Sequence, residues 1–414
     1  MPMGDFICQG FVFLPMLQPN PVLINDILPK WQIKGLSLLP IVQGGMGLGV
    51  SAHRLAGSVA RCGAVGTISS VDLRRLHPDL MLQTHKSRNK ALIDQVNLVA
   101  LDREIKAALV LADTQGLVAV NIMRAISAYS AQVIQACQSG AQALVVGAGL
   151  PLELPQLTKD YPAVALIPIL SDVRGISILV KRWIKKTRLP DAIVIEHPLY
   201  AGGHLGVTKP EQINDQRFNF AIVLEQALEF LKQMGLESEK IPLIPAGGIN
   251  SHQQIKSLLS LGASAVQLGT AFAVTQEGDA HENFKQVLVN AKAEDIVTFM
   301  SVAGLPARAV KTPWLVKYLK NLDILKKRAK KRVDCTLAFD CLEHCGLRDG
   351  IAHFGQFCID HHLQAAFKGD IEHGLFFRGA SPLPFGHEIR TVRQLIDLLI
   401  FNLQPKNVNS QSLS

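Results

Sequence analysis

The heptapeptide at 200–206, Tyr-Ala-Gly-Gly-His-Leu-Gly, sets one imidazole among three glycines, directly after the apolar run at 191–199. Glycine lets a backbone take positive φ and lets another body come close. An imidazole in such a gap can take or give a proton near neutral pH. His204 is therefore a candidate acid or base, and Gly202 and Gly203 shape its setting. Two further stretches carry bare backbone. Ala-Gly-Gly-Ile-Asn (246–250) and Gln-Leu-Gly-Thr (267–270) expose amide groups at Gly247, Gly248 and Gly269, and Thr270 adds a hydroxyl. With the positive ends of the helices that follow, they predict a phosphate cradle. A fourth stretch, Gln-Gly-Gly-Met-Gly (43–47), offers backbone against which a flat ring could lie. A flat body with a phosphate tail suits flavin mononucleotide (FMN).

Cysteine makes a second constellation. Cys335, Cys341, Cys345 and Cys358 follow the spacing C-x5-C-x3-C-x12-C, while the other three cysteines lie at 8, 62 and 137. Four thiolates could hold zinc or an iron–sulfur cluster, with His344, His353, His361 and His362 as substitute ligands. The spacing is not a C-x2-C knuckle, so four unrelated thiols in a compact lid is the competing reading. Seven cysteines, an odd total, do not make a secreted disulfide framework and point to the reducing cytoplasm.

The elements that must position these residues are short apolar runs at 36–43, 64–69, 117–123, 143–149, 164–170, 192–197, 241–248 and 265–270. Each is rich in Val, Ile and Leu throughout, as parallel strands covered on both faces are. Between them lie helix-like segments such as 51–63, 127–140 and 251–262, the last with a Ser N-cap and a closing Gly262. Eight β-then-α units predict a (β/α)8 barrel, whose active site lies at the C-terminal ends of the strands and whose last two strands hold phosphate. A doubly wound sheet is the alternative. Its dinucleotide fingerprint is incomplete here, because no acidic residue ends a second strand after the glycines at 44–49. The predicted organisation is an N-terminal arm (1–35), a barrel (36–280), a helical basic segment (281–340) and a Cys/His-bearing extension (341–414), which ends in a helix-like run at 391–403. Arg378, beside Gly379, could reach a phosphate or an anionic substrate.

Of the 414 residues, 48% are hydrophobic and 18% are charged, with a net charge of +8. No apolar run is long enough to predict a membrane span. The greasy segment at 6–17 lacks the basic start and small-residue cleavage site of a signal peptide, and reads as an arm packed on the body. The basic stretch at 317–335 reads as a solvated helix face rather than a nucleic-acid site, because no aromatics interleave with its Lys/Arg cluster at 326–332 for base stacking.

The ordered motifs Pro-Ile-Val-Gln-Gly-Gly-Met-Gly (40–47), Gly-Ala-Gly-Leu-Pro (147–151), Ala-Gly-Gly-His-Leu-Gly (201–206), Pro-Ala-Gly-Gly-Ile (245–249) and Gln-Leu-Gly-Thr (267–270) resemble the nitronate monooxygenase family, with Gly-Leu-Pro-Ala-Arg-Ala-Val (304–310) as a further similar stretch. The resemblance covers residues 36 to about 310. It implies FMN held non-covalently, Gly45 and Met46 against its ring, Gly202 close to it, and Gly248 with Gln267, Leu268, Gly269 and Thr270 at its phosphate. It implies His204 as base or proton donor, and a small-molecule substrate with O2 as oxidant. The superfamily also implies an alternative, an NAD(P)H-dependent enoyl-acyl-carrier-protein or quinone reductase. Outside it lies a flavin- or metal-binding regulatory protein with no turnover. The chain departs from the best-studied members by carrying His197 and Tyr200 where they have a Gln and a Glu.

Overall fold

The computed structural model describes residues 28–333, 335 and 339–404. Cys8 and the greasy segment at 6–17 lie outside the described residues. A short antiparallel hairpin comes first, β1 (Trp31–Ile33) and β2 (Leu36–Leu38). Eight parallel strands then close into a barrel: β3 (Ile41–Gln43), β4 (Val65–Ser69), β5 (Leu117–Met123), β6 (Ala143–Gly147), β7 (Ala165–Leu170), β8 (Ile193–Glu196), β10 (Leu243–Ala246) and β11 (Val266–Leu268). The (β/α)8 expectation is met, with each barrel strand beside its predecessor and β11 returning to β3.

The first predicted strand, 36–43, is two elements. Pro40 has no N–H to give a ladder, and the chain turns there from the hairpin into the barrel. Trp31, Ile33 and Leu38 of the hairpin pack with Val42, Val65, Leu117 and Ala143, closing the N-terminal end of the barrel with apolar side chains. Trp31 anchors the turn by donating its indole N–H to Leu39 O at 3.0 Å.

Outer helices follow the predicted signals. The helix His252–Ser260 is capped by Ser251, whose hydroxyl accepts from the Gln254 amide, and Gly262 ends it at φ +98°. After β11, however, only one helical turn forms, Thr270–Ala273. The place of the eighth outer helix is taken by Val392–Phe401, which packs between His252–Ser260 and His53–Arg61. It opens with a reciprocal Thr391–Gln394 capping box. The extension therefore completes the barrel, and a boundary at 280 does not separate the two.

The segment 281–340, expected to be helical throughout, contains a hairpin, β12 (Ile296–Met300) and β13 (Pro306–Val310). β-branched and aromatic residues favour a strand over 296–300, and Gly304 at φ +75° serves the turn. β13 also pairs antiparallel with β9 (Gly203–His204), placing Ala307 opposite His204 and Arg308 opposite Gly203. The basic helices Pro313–Lys320 and Leu322–Lys327 follow.

Candidate active site

At the C-terminal end of the barrel lies a cavity of about 770 Å³. Its wall includes His204 and the candidate site glycines Gly45, Gly202, Gly203, Gly247, Gly248 and Gly269, together with Met46, Gln267, Leu268 and Thr270. The strand ends meet there because parallel strands deliver all their C-terminal loops to one face.

The β3 end is fixed from below. Buried Gln43 exchanges hydrogen bonds with the Thr67 backbone, donating to its carbonyl at 3.1 Å and accepting from its amide at 2.9 Å. Gly45 is glycine because a Cβ there would stand 2.2 Å from Asn121 Cβ. The Met46 amide donates to Ser51 Oγ at 2.8 Å. On the neighbouring strand β11, Gln267 is buried, and its Oε1 has no hydrogen-bond partner. At Gly269 the space is open, a Cβ meeting only Met46 Sδ at 3.7 Å.

His204 is half-buried, and its Nε2 lies 3.0 Å from Ser301 Oγ. Burial pulls its pKa down to about 4, so the ring is neutral at physiological pH. Ser301 belongs to the turn between β12 and β13, which also ties to the extension: Gly346 donates to Val302 O at 2.7 Å and Gly355 to Ser301 O at 2.8 Å. The β9 loop is locked by buried Arg308, whose Nη1 donates to Pro198 O at 3.0 Å and to Ala201 O. Thus Gly-Leu-Pro-Ala-Arg-Ala-Val supports the histidine loop from behind.

Glu196, the last residue of β8, was not singled out in sequence. It lines the cavity, and burial raises its carboxyl to about 7. The signal available was its place, a carboxylate at a strand end two residues before Pro198. The adjacent His197 turns away from the cavity. It is buried, its Nδ1 accepts from the Leu199 amide at 3.2 Å, and burial with the charge of Arg308 lowers its pKa to about 4.

A strap from the extension, 377–384, crosses the mouth. Gly379 donates to Thr270 Oγ1 at 3.0 Å, Ala380 donates to Tyr200 O at 3.1 Å, and Asn250 donates to Pro382 O at 2.9 Å. A Cβ on Gly202 would stand 2.6 Å from the Arg378 carbonyl carbon and the Gly379 nitrogen. Gly202 is thereby bare to admit the strap. Gly248, at φ +79°, lies under Tyr200, whose Cγ would be 2.8 Å from an added Cβ. Arg378 does not reach into the cavity. It is buried, and its guanidinium donates to Leu288 O and Gly379 O, both at 2.9 Å. The helix start expected after Gly269 is only the single turn Thr270–Ala273, so no long helix aims its positive end there.

Cys335, Cys341, Cys345 and Cys358 all line one small void beside this cavity. Among the described residues, no group of three Cys, His, Asp or Glu side chains is drawn close enough to hold a single metal ion. None of the four histidines lines that void. His362 instead stacks on Trp314, with ring centroids 3.9 Å apart.

A closed barrel gathers glycine-lined strand ends and a neutral histidine around one cavity, an arrangement that suits a flavin-dependent oxidoreductase. The chain belongs to the nitronate monooxygenase family, whose sequence model matches residues 30–400. It is 27% identical over 309 residues to a probable nitronate monooxygenase of Bacillus subtilis, covering 70% of this chain and 81% of that one. It is 31% identical over 175 residues to a nitronate monooxygenase of Pseudomonas aeruginosa, covering 39% and 47%. Among solved structures, FabK from Thermotoga maritima superposes with a TM-score of 0.58 at 21% identity, covering 88% of this chain and 91% of that one. A nitroalkane oxidase from Streptomyces ansochromogenes also gives 0.58, at 19% identity over 87% and 94%. At these identities the structures establish the shared fold. Family membership makes the chain an enzyme and closes the reading as a non-catalytic regulatory protein. No helix among the described residues is long and apolar enough to cross a membrane.

Proposed function

We propose that the chain is an FMN-dependent oxidoreductase of nitronate monooxygenase type, acting in the cytoplasm on a nitronate or related small carbon acid with O2. The observation that carries this reading is the meeting, in one cavity, of His204, the glycine-lined ends of four strands and the unpartnered Oε1 of Gln267. The residues fit the cofactor. The cavity has room for it, the backbone at Gly44 and Gly45 forms part of its wall, and Gln267 offers an acceptor that the protein itself leaves unused. Gly247, Gly269 and Thr270 would hold the phosphate. FMN, when bound, supplies the electron acceptor.

His204 is uncharged at neutral pH and can accept a proton from a carbon acid. Its bond to Ser301 fixes the ring, and the Arg308 clamp fixes the loop beneath it. Glu196, near half-neutralised at pH 7, can donate a hydrogen bond to an oxygen of the substrate. The strap over the mouth limits entry of water. Met46 and Leu268 add apolar wall.

A second reading, an NAD(P)H-dependent enoyl-acyl-carrier-protein or quinone reductase, draws on the length of the cavity. It runs on to Gln132, whose Oε1 is also buried without a partner, so a substrate longer than a nitronate has both room and a polar anchor. Anaerobic mixing separates the two. Loss of flavin absorbance with a preformed nitronate, and none with NADH or NADPH, is expected. Rapid bleaching by a nicotinamide with none by the nitronate would overturn the first reading in favour of the second.

A further inference from the structure

The C-terminal extension brings four thiols together from separate loops. Cys341 sits on a strand-like segment laid along the loop after β5: Leu342 bridges Ile126, Ser127 donates its amide to Cys341 O at 3.1 Å, and Ser127 Oγ donates to Asp340 O at 2.6 Å. Cys335 is tied to the same segment, its amide donating to Asp340 Oδ1 at 3.2 Å. Cys345 and Cys358 occupy the N-cap positions of Gly346–Asp349 and Ile359–Phe367. Burial pushes the Cys345 and Cys358 thiols up, and backbone N–H groups of Leu347 and Arg348 on the Cys345 sulfur and of His361 on Cys358 offset part of that rise. Amides turned onto thiolates are what tune metal–sulfur centres.

Among the described residues, all four cysteines line a void of about 20 Å³. Cys358 is buried and the other three are partly buried, and an occupant of the void would gain packing contacts with all four. A single zinc ion would need its sulfurs at about 2.3 Å from one point, and no three of them meet that demand here. An iron–sulfur core is wider, and each thiolate then binds a different part of it. The wall is also shared. Phe339, Cys341, Leu342 and Ile359 line both the void and the active-site cavity.

We propose that Cys335, Cys341, Cys345 and Cys358 hold one iron–sulfur cluster against the wall of the active-site cavity. The cluster ties the extension to the loop after β5. Through the Gly346–Val302 and Gly355–Ser301 bonds it also steadies the turn that carries Ser301. The site does not depend on which substrate the cavity takes.

The test uses the full chain purified without oxygen, and reads iron, acid-labile sulfide, zinc and flavin per chain, with electron paramagnetic resonance after dithionite reduction. Iron and sulfide in equal amounts, two or more of each per chain, with a cluster signal, are expected. Cys345→Ser should lose most of both, while Cys62→Ser, outside the extension, should keep them. Flavin content and circular dichroism of each variant distinguish loss of the site from loss of the fold. If Cys345→Ser does not fold, the wild-type metal content still decides. Stoichiometric zinc without sulfide would overturn the cluster. So would wild-type protein, reconstituted anaerobically with ferrous iron and sulfide, that takes up neither. Neither result touches the flavin reading, which the nitronate bleaching tests by itself.

Discussion

Glu196 gives the sharpest test of how the cavity handles charge. Its carboxyl lies among apolar strand ends, and burial lifts it from 4.5 to about 7. That rise corresponds to about 3 kcal/mol in favour of the neutral form, at about 1.4 kcal/mol per pH unit. Because the folded-state value is the higher one, the stabilisation is complete below pH 4.5 and is lost as pH rises through 7. The other carboxyl, imidazole and guanidinium groups lining the cavity are His204, which is neutral in this range, and Asp72, Asp94, Asp172, Arg174, Arg217 and Asp360. Asp360 is also pushed up by burial and the neighbouring Asp72 charge, so only the Glu196 variant separates its break from that of Asp360. An ionised Glu196 would repel an anionic nitronate and lose its donor proton. The kcat/KM of the wild type should therefore fall about tenfold per pH unit above 7. Glu196→Gln keeps a donor at all pH values, so its profile should be flat between pH 6 and 9, and at pH 9 it should outrun the wild type. The assay is initial rate against preformed nitronate across that interval, with flavin content measured at each pH. A wild-type break near 7 that survives in Glu196→Gln would refute the assignment.

His204→Ala should retain flavin and lose roughly 10²–10⁴ in rate, the span of a general acid or base; unchanged turnover at full flavin occupancy would remove His204 from the chemistry. Gly269→Ala places a methyl where only Met46 Sδ lies within 4 Å, so the protein should fold and bind flavin at least tenfold more weakly, read by fluorescence titration; unaltered affinity would move the phosphate site elsewhere. Gly248→Val tests the cradle less cleanly. It forces a branched residue to φ +79° under Tyr200, and thermal unfolding should show lowered stability as well as lost colour. Gly202→Ala pushes a Cβ to 2.6 Å from the strap backbone, an overpacking cost of about 1–3 kcal/mol, and limited proteolysis should cut sooner within 377–384; an unchanged cleavage rate would show that the strap tolerates displacement.

The sequence by itself determined the barrel and the cavity-facing glycines. Eight apolar runs in alternation with capped helices leave few ways to cover both faces of every strand, and strand ends of a parallel barrel share one face whatever their spacing along the chain. The grouping of the four cysteines was legible for a similar reason, since they lie close in sequence. Only the tertiary structure decided what lay between distant segments. Ser301 reaches His204 because β13 pairs with β9, a contact nearly a hundred residues long that no local pattern encodes. Gly202 is bare for Arg378 and Gly379, and the eighth outer helix comes from 392–401 rather than from the residues after β11. Glu196 reads in sequence as an ordinary strand-end charge. Its raised pKa comes from desolvation by elements that the fold gathers around it, and desolvation is a property of the packed whole.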